Sequence, residues 1–143
     1  MKIGFIGIGA ISEHVITGLI QTGGFDEIVV VSERSSHRSA RLADRFTNVE
    51  VEPDNQTIVD RVDVVFVATL PEQTLELLDT LSFRQDQVIV SMAAIVSVEQ
   101  IAEKVHPASR IHRLIPMPPN ELGVGPIPIY PSCPDLAALL SQI

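Results

Sequence analysis

The chain alternates short, almost purely apolar runs with longer segments in which apolar residues recur every three or four positions. Continuous β-branched runs are typical of strands buried on both faces of a parallel sheet, whereas the longer period is typical of amphipathic helices. The apolar runs predict strands at 3–6, 27–31, 49–51, 62–69, 87–91 and 110–115.

Helices are predicted between these strands, and several carry recognisable start signals. Pro71 suits the first turn of a helix at 72–81, and Ser97 suits an N-cap with acidic Glu99 in the turn behind it. Further helices are predicted after Gly9, at 37–46 and at 135–143. Residues 53–60 predict a turn and a short, exposed helix of acidic and amide residues.

A glycine turn follows the first predicted strand. Gly7 can take backbone angles that other residues avoid, and Gly9 leaves the backbone open to a ligand. The helix behind them would direct free N–H groups at an anion. Gly7, Gly9 and the small Ser12 fit the dinucleotide-binding fingerprint G-x-G-x-x-G/A with its last position changed. The alternative is a structural turn that binds nothing.

Taken together, the alternation and the turn predict an α/β fold. We expect a Rossmann-like, doubly wound and mainly parallel sheet with helices on both faces, in one NAD(P)-binding domain over residues 1–143.

Composition narrows the possible partners. The net charge of −8 argues against nucleic acid and anionic membranes, because both select for Lys and Arg. Every apolar run is interrupted well before the roughly 20 residues that span a bilayer. Cys133 is the single cysteine, which excludes an internal disulfide and predicts a reducing, cytoplasmic location.

The end of the second strand determines the expected cofactor. Glu33 sits near the position where a carboxylate binds the ribose of NAD, but Arg34 follows it and suits the 2′-phosphate of NADP. Ser32, Ser35 and Ser36 add hydroxyl donors. We expect NADP, with NAD possible. The alternative is that Ser35 or Ser36 only caps the next helix.

Two other loops follow predicted strands at the same edge of the sheet, where ligands of α/β folds bind. Residues 68–71 could contact the ribose and pyrophosphate through backbone groups, or be an ordinary loop. Met92, Ala93 and Ala94 leave room for a flat nicotinamide ring, although tight packing needs small residues too. Beyond residue 115, clustered prolines predict a long irregular loop with an edge strand at 127–130.

Other chemistries fit poorly. The four histidines and Cys133 lack metal-ligand spacing, so no metal is expected. His14 could face the cofactor but is better explained as a surface residue. Arg113 could reach an anionic substrate or be a solvated residue at the edge of the sheet. No side chain is identified as a general acid, so the catalytic residues stay unknown.

The order of these motifs resembles the N-terminal domain of the pyrroline-5-carboxylate reductase family. The matching segments are GFIGIGAISEHVITGL, VSERS, VVFVATLPEQTLELL, VIVSMAAIVSVEQI and RIHRLIPMPPNELGVG. The resemblance implies an NAD(P)H-dependent oxidoreductase that delivers hydride to a carbon–nitrogen double bond in a small ring. The resemblance, together with the hydroxyl donors at the end of the second strand, gives the expected cofactor contacts. They are Gly7, Ile8, Gly9, Ala10, Ile11, Ser32, Arg34, Ser35, Ala68, Thr69, Leu70, Pro71, Ala93 and Ala94.

Three positions depart from the family pattern. Leu70 stands where the family has Lys, Ile95 stands where it has Gly, and Met117 lies in a segment that usually reads Met-Pro-Asn-Thr-Pro. These departures favour another imine or carbonyl substrate. They also leave open a non-catalytic dinucleotide-sensing module, or a related dehydrogenase of the hydroxy-acid or deazaflavin type.

The resemblance also implies a second, helical domain that dimerises and supplies much of the substrate pocket. We expect that domain to be absent from this chain, and a full-length form to be a homodimer. The domain alone is expected to bind a dinucleotide and to catalyse weakly, because hydride transfer needs a substrate held against the cofactor.

Overall fold

The computed structural model describes residues 1–33, 35–141 and 143, so the expected contact Arg34 lies outside the described residues. Seven strands of the described chain form one sheet. They are β1 (Ile3–Ile6), β2 (Val29–Ser32), β3 (Val49–Glu52), β4 (Val64–Val67), β5 (Val88–Ser91), β6 (Arg110–Leu114) and β7 (Ile129–Tyr130).

The strand order is β3-β2-β1-β4-β5-β6-β7. The first six strands are parallel, and β7 is antiparallel to β6 at the edge, as the prolines around it predicted. The order reverses between β1 and β4, which is the switch point of a doubly wound sheet. The predicted Rossmann-like fold is therefore confirmed.

Helices cover both faces of the sheet. Beneath α1, α2 and α6, the rings of Phe5 and Phe66 stack with their centroids 4.4 Å apart. Beneath α3, α4 and α5, the core includes Ile89 and Ile111. The bounds are α1 (Ala10–Thr17), α2 (Ser36–Arg45), α3 (Asn55–Arg61), α4 (Pro71–Asp79), α5 (Val98–Ala102) and α6 (Pro134–Leu140), with a π-helical turn at Gly18–Thr22.

Helix α3 differs from its prediction as an exposed element. Ile58 and Val59 are fully buried, and Gly4 on β1 makes room for Ile58, since a Cβ on Gly4 would lie 2.7 Å from Ile58 Cγ2. The backbone N–H of Thr57 donates to Asp54 at 2.8 Å and caps the helix. Because polar residues surround Ile58 and Val59 in the sequence, the sequence pattern did not reveal that this helix has an apolar face.

The proline-rich segment is more ordered than the irregular loop that was predicted. Pro118–Leu122 forms a 3₁₀ helix around the fully buried Asn120. Asn120 Oδ1 accepts from the backbone N–H of Met117 at 2.6 Å, and its Nδ2 donates to the carbonyl oxygens of Val124 and Gly125. One side chain therefore holds both ends of the segment together.

The 3₁₀ helix packs on the end of α1. A Cβ on Gly18 would lie 2.8 Å from the Asn120 carbonyl oxygen, so only glycine permits this approach. Nearby, His14 Nδ1 contacts a carboxylate oxygen of Glu121. His14 is half-buried and pairs with the 3₁₀ helix.

In the described ranges, no helix has both the length and the apolar character needed to cross a bilayer.

Candidate functional site

A crevice of about 690 Å³ opens at the carboxyl ends of β1, β4, β5 and β6. It lies over the switch point, where ligands of doubly wound sheets bind. Its described wall includes twelve of the expected contacts, namely Gly7, Ile8, Gly9, Ala10, Ile11, Ser35, Ala68, Thr69, Leu70, Pro71, Ala93 and Ala94.

Gly7 starts the turn between β1 and α1, and its backbone requires glycine. Its φ is +91°, and a Cβ there would lie 2.8 Å from the Ala68 carbonyl oxygen. Its carbonyl oxygen accepts a hydrogen bond of 2.9 Å from the hydroxyl of buried Ser12. The small residue at the third fingerprint position thus fixes the turn through its hydroxyl as well as by its size.

Ser32 occupies a place that sequence reasoning did not anticipate. Its Oγ accepts a hydrogen bond of 2.9 Å from the backbone N–H of Gly7, and its side chain is buried. It is absent from the described wall of the crevice. Ser32 therefore positions the glycine turn from inside the protein. Direct contact between Ser32 and the cofactor stays a prediction.

Gly9 has the opposite character to Gly7. A Cβ on Gly9 would meet no atom of the described residues within 4 Å, so the position faces open space at the start of α1. Gly9 is the N-cap residue, and the described residues supply no side-chain hydrogen bond to this helix end. The first N–H groups of α1 are therefore available to an anion at the crevice.

The loop after β4 forms a second part of the wall. Leu70 is the N-cap of α4 and is 58% exposed, and Pro71 begins the helix. The loop is pinned from beneath by Thr74, whose hydroxyl lies 3.0 Å from Thr69 Oγ1 and donates to the Leu70 carbonyl oxygen. Backbone groups of this loop are thus held in place beside the glycine turn.

The loop after β5 contributes small residues. Ala93 is buried, and its N–H donates to the hydroxyl of Ser91 at 3.2 Å, whereas Ala94 is exposed to the crevice. Ile95 follows with a φ of +75° and a side chain that is 88% exposed. Left-handed backbone is rare for a β-branched residue, so the loop turns at a position that favours glycine.

The end of β2 is only partly described. Ser35 lines the crevice at the N-cap of α2, and among the described residues its side chain makes no capping hydrogen bond. Its hydroxyl is therefore not used for capping, which was the alternative explanation. Glu33 beside it is exposed.

The wall also contains residues that were not among the expected contacts. Arg113, whose two interpretations were left open, lies in the crevice. The signal that could have found the others is topological, because each lies at the carboxyl end of a strand at this edge or in the segment that follows such a strand. They are Ser12, Gln73, Met92, Leu114, Ile115 and Pro116.

The described residues contain no cluster of three or more His, Cys, Asp or Glu side chains that could hold a metal ion.

Comparison with known proteins identifies an oxidoreductase family. A family model described as "NADP oxidoreductase coenzyme F420-dependent" matches residues 2–95. A pyrroline-5-carboxylate reductase from Corynebacterium melassecola is 31% identical over 128 residues, which are 86% of this chain and 47% of the relative. The chain thus spans about half the length of that curated relative.

Solved structures of pyrroline-5-carboxylate reductases have the same fold as this chain. A pyrroline-5-carboxylate reductase from Coxiella burnetii superposes with a TM-score of 0.80 at 26% identity, over 98% of this chain and 55% of the other. The Plasmodium falciparum pyrroline carboxylate reductase, solved with NADP bound, superposes with a TM-score of 0.82 at 14% identity, over 99% and 55%, and shows the fold alone. The chain has the fold and motif order of the dinucleotide-binding half of these reductases and belongs to the NADP oxidoreductase, coenzyme F420-dependent family.

Proposed function

We propose that the crevice binds NADP, and that residues 1–143 are the cofactor-binding domain of an oxidoreductase that reduces a small cyclic imine. The family and the names of the relatives support the reaction class. The exposed start of α1 supports a phosphate-bearing nucleotide, and so does the hydroxyl of Ser35, which makes no capping hydrogen bond with the described residues. NAD is the competing cofactor.

The observation that carries the proposal is the open position at Gly9. Gly7 and Gly9 flank the same turn, but only Gly7 is packed against protein atoms. A glycine whose missing side chain faces empty space at a helix start has no packing reason to be glycine. Close approach of a ligand's pyrophosphate to the backbone provides one.

The nicotinamide of a bound NADPH would supply the hydride, so the task of the chain's own residues is to bind and orient the cofactor and the substrate. Exposed Leu70 and Ile115 and partly buried Met92 give the crevice apolar walls that exclude water from a bound substrate. The general acid is not assigned to a residue of this chain.

The whole protein would need more than this domain. We propose that a helical domain supplies further substrate contacts and joins two copies into a homodimer, because the relatives are about twice as long as this chain. The partners would be a small-molecule substrate and the second copy. A cytoplasmic location is part of the proposal, because a chain with a single cysteine forms no internal disulfide and suits a reducing compartment.

Titration calorimetry with NADPH on two matched glycine variants tests the proposal. Gly9→Ala places a methyl group in open space, so it should weaken NADPH binding by about tenfold or more, whereas the melting temperature should fall by only a few degrees because alanine is a poorer N-cap than glycine. Gly24→Ala is the control, because Gly24 has a φ of +66° and lies outside the crevice. It should lower stability by about 1 kcal/mol and leave binding intact. Equal NADPH affinity of wild type and Gly9→Ala would contradict the proposal.

A sensing module without chemistry is the second candidate, and specific side chains favour it. Leu70 and Ile95 replace the Lys and Gly of the reductase pattern and are 58% and 88% exposed. A screen of cyclic imines that follows NADPH absorbance separates the two functions. A sensor would leave every imine unreduced and would change its sedimentation when NADPH is added.

A further inference from the structure

Three charged side chains join α1 to α2 outside the described wall of the crevice. The Glu13 carboxylate on α1 accepts hydrogen bonds from Arg38 Nη1 at 2.6 Å and from Arg41 Nε at 2.8 Å, and both arginines lie on α2. We call these three residues the α1–α2 charge cluster. It contains one carboxylate and two guanidinium groups, so one positive charge is left unbalanced. In a protein with a net charge of −8, this local excess attracts anions.

The charge cluster lies beside two residues of the crevice wall. Glu13 is one helical turn beyond Gly9, because its backbone N–H donates to the Gly9 carbonyl oxygen at 3.1 Å. Arg38 is in the first turn of α2, where its backbone N–H donates to the Ser35 carbonyl oxygen at 2.8 Å. One turn advances about 5.4 Å, which is shorter than the Debye length of about 10 Å at 0.1 M salt. The cluster is therefore close enough to act electrostatically on an anion at this end of the crevice.

Glu13 carries a fixed negative charge at neutral pH. Its side chain is 16% exposed, and burial raises its pKa. Hydrogen bonds from Arg41 and Arg38 lower the pKa by more than burial raises it, so the net shift is downward. The carboxylate therefore stays ionised, and its partial burial reduces the screening of its charge by salt.

Arg38 retains hydrogen-bond donors for a second anion. Its Nη1 donates to Glu13, whereas its Nε and Nη2 make no hydrogen bond with the described residues. The side chain is 38% exposed, and a guanidinium offers five N–H groups. Arg38 can therefore contact Glu13 and a phosphate at the same time. The carboxylate opposes the phosphate, because it cancels part of the positive potential that the guanidinium creates.

We propose that Glu13 limits how strongly this domain prefers NADP over NAD. Its carboxylate offsets the positive charge of Arg38 and Arg41 beside the position where the 2′-phosphate would lie. The two coenzymes share the pyrophosphate and differ only in the 2′-phosphate, so this charge changes the ratio of their affinities. The inference rests on the proposed function, and it assigns a role in selectivity to a residue that does not line the described crevice.

Calorimetry with NADPH and NADH on Glu13→Gln tests this role in about 0.01 M salt. Glutamine keeps the size of the side chain and removes its charge. A unit charge about 8 Å from a phosphate with nearly two charges changes binding by about fivefold in water. Glu13→Gln should therefore raise NADPH affinity by about fivefold and change NADH affinity by less than about twofold. In about 1 M salt the gain should vanish, because the Debye length falls to about 3 Å.

Arg41→Gln tests the same cluster with the opposite change of charge. It leaves the hydrogen bond between Glu13 and Arg38 in place, so it should lower NADPH affinity by about threefold and NADH affinity by much less. If Glu13→Gln does not fold, Arg41→Gln still tests whether the charge of the cluster sets the ratio of the two affinities.

Asp44→Asn is the matched control for Glu13→Gln, because it also removes one negative charge next to α2. Asp44 is exposed on α2 and makes no ion pair or hydrogen bond with the described residues. It lies about 9 Å along the helix from Arg38, on the side away from the crevice end of α2. The control should leave the ratio of NADPH to NADH affinity within about twofold of wild type.

Four results would overturn the role of Glu13. An unchanged ratio in Glu13→Gln would show that its charge does not act on the phosphate, and an equal gain for both coenzymes would place its effect on their shared part. A loss of NADPH affinity would mean that Glu13 holds Arg38 in place for the phosphate. An equal change of the ratio in Asp44→Asn would reduce the effect to net charge. Wild type that binds neither coenzyme would instead overturn the proposed function and this inference with it, and the wild-type titration identifies that case.

Discussion

The backbone N–H of Gly7 donates a 2.9 Å hydrogen bond to the buried hydroxyl of Ser32, which ties the end of β2 to the turn after β1. Removing the hydroxyl would leave a buried N–H without a partner. We expect Ser32→Ala to lower the free energy of unfolding by about 1–3 kcal/mol and to weaken NADPH binding through the loosened turn. Urea unfolding and calorimetry measure the two effects.

Ser141→Ala is the control for this change. Ser141 is exposed, and its hydroxyl donates to the Ala138 carbonyl oxygen at 2.8 Å. Water can replace that bond, so the control should change stability by less than about 0.5 kcal/mol. If Ser32→Ala were as mild as the control, the tie between the strands would contribute nothing measurable.

The preference for NADP over NAD is expected to reside in Arg34. Arg34→Ala should reduce NADPH affinity by about tenfold and leave NADH affinity unchanged, because only NADPH carries the 2′-phosphate. Arg45→Ala is the matched control, since Arg45 in the last turn of α2 donates to Gln21 and lies over the Phe46 ring. Calorimetry with both coenzymes measures the ratio, and equal affinities in wild type would reject the NADP assignment.

Glu13 predicts a pH-dependent contribution to stability. Burial raises its pKa, but hydrogen bonds from Arg41 at 2.8 Å and Arg38 at 2.6 Å more than offset this, so the pKa lies below its usual 4.5. The ionised pair therefore stabilises the fold above the unfolded pKa and is lost as pH falls through the folded one. Glu13→Gln should cost about 1 kcal/mol near pH 7, and this cost should shrink as the pH is lowered from 4.5 to about 3.

Glu76→Gln is the control for that prediction. Glu76 is exposed on α4 and makes no hydrogen bond or ion pair with the described residues. Its replacement should give the same small change in unfolding free energy at both pH values. A difference between Glu13→Gln and wild type that did not depend on pH would contradict the assignment of the effect to ionised Glu13.

Ile95 should be replaceable with a gain in stability. Its left-handed backbone costs about 1–2 kcal/mol, more than the added chain entropy of glycine, so Ile95→Gly should stabilise the protein by about 1 kcal/mol. Val124 is also exposed and β-branched but has no positive φ. Val124→Gly should therefore destabilise. Melting temperatures compare the two, and a lower value for Ile95→Gly would show that the isoleucine side chain has a stabilising role.

The order of strands and helices was largely predictable from the sequence, because apolar runs and the spacing of apolar residues are local properties of the chain. The strand at 62–69 was recognised, although its ordered core is only Val64–Val67. Helix α3 was recognised but assigned the wrong environment, because Ile58 and Val59 are two apolar residues among polar neighbours. The burial of Ile58 depends on Gly4, more than fifty positions away in the sequence.

Residues of the site could be predicted from the sequence where a local motif encodes them. They could not be predicted where their positions depend on contacts between distant parts of the chain. The loops around Gly7, Ala68 and Ala93 could be placed because parallel strands end at one edge. The inward hydroxyl of Ser32 could not, because a serine suited to phosphate and a serine that braces a turn look alike in sequence. Asn120 likewise carries no sequence signal for the three hydrogen bonds that its side chain makes.

The close approach of Asn120 to Gly18 has a consequence for anyone who redesigns this scaffold. Helix α1 follows the glycine turn, and the π-helical turn at its end packs directly against the proline-rich segment, whose first residue, Ile115, lines the crevice. Chimeras that exchange residues 115–125 between homologues should therefore exchange residues 10–22 with them, so that both packed segments come from the same homologue.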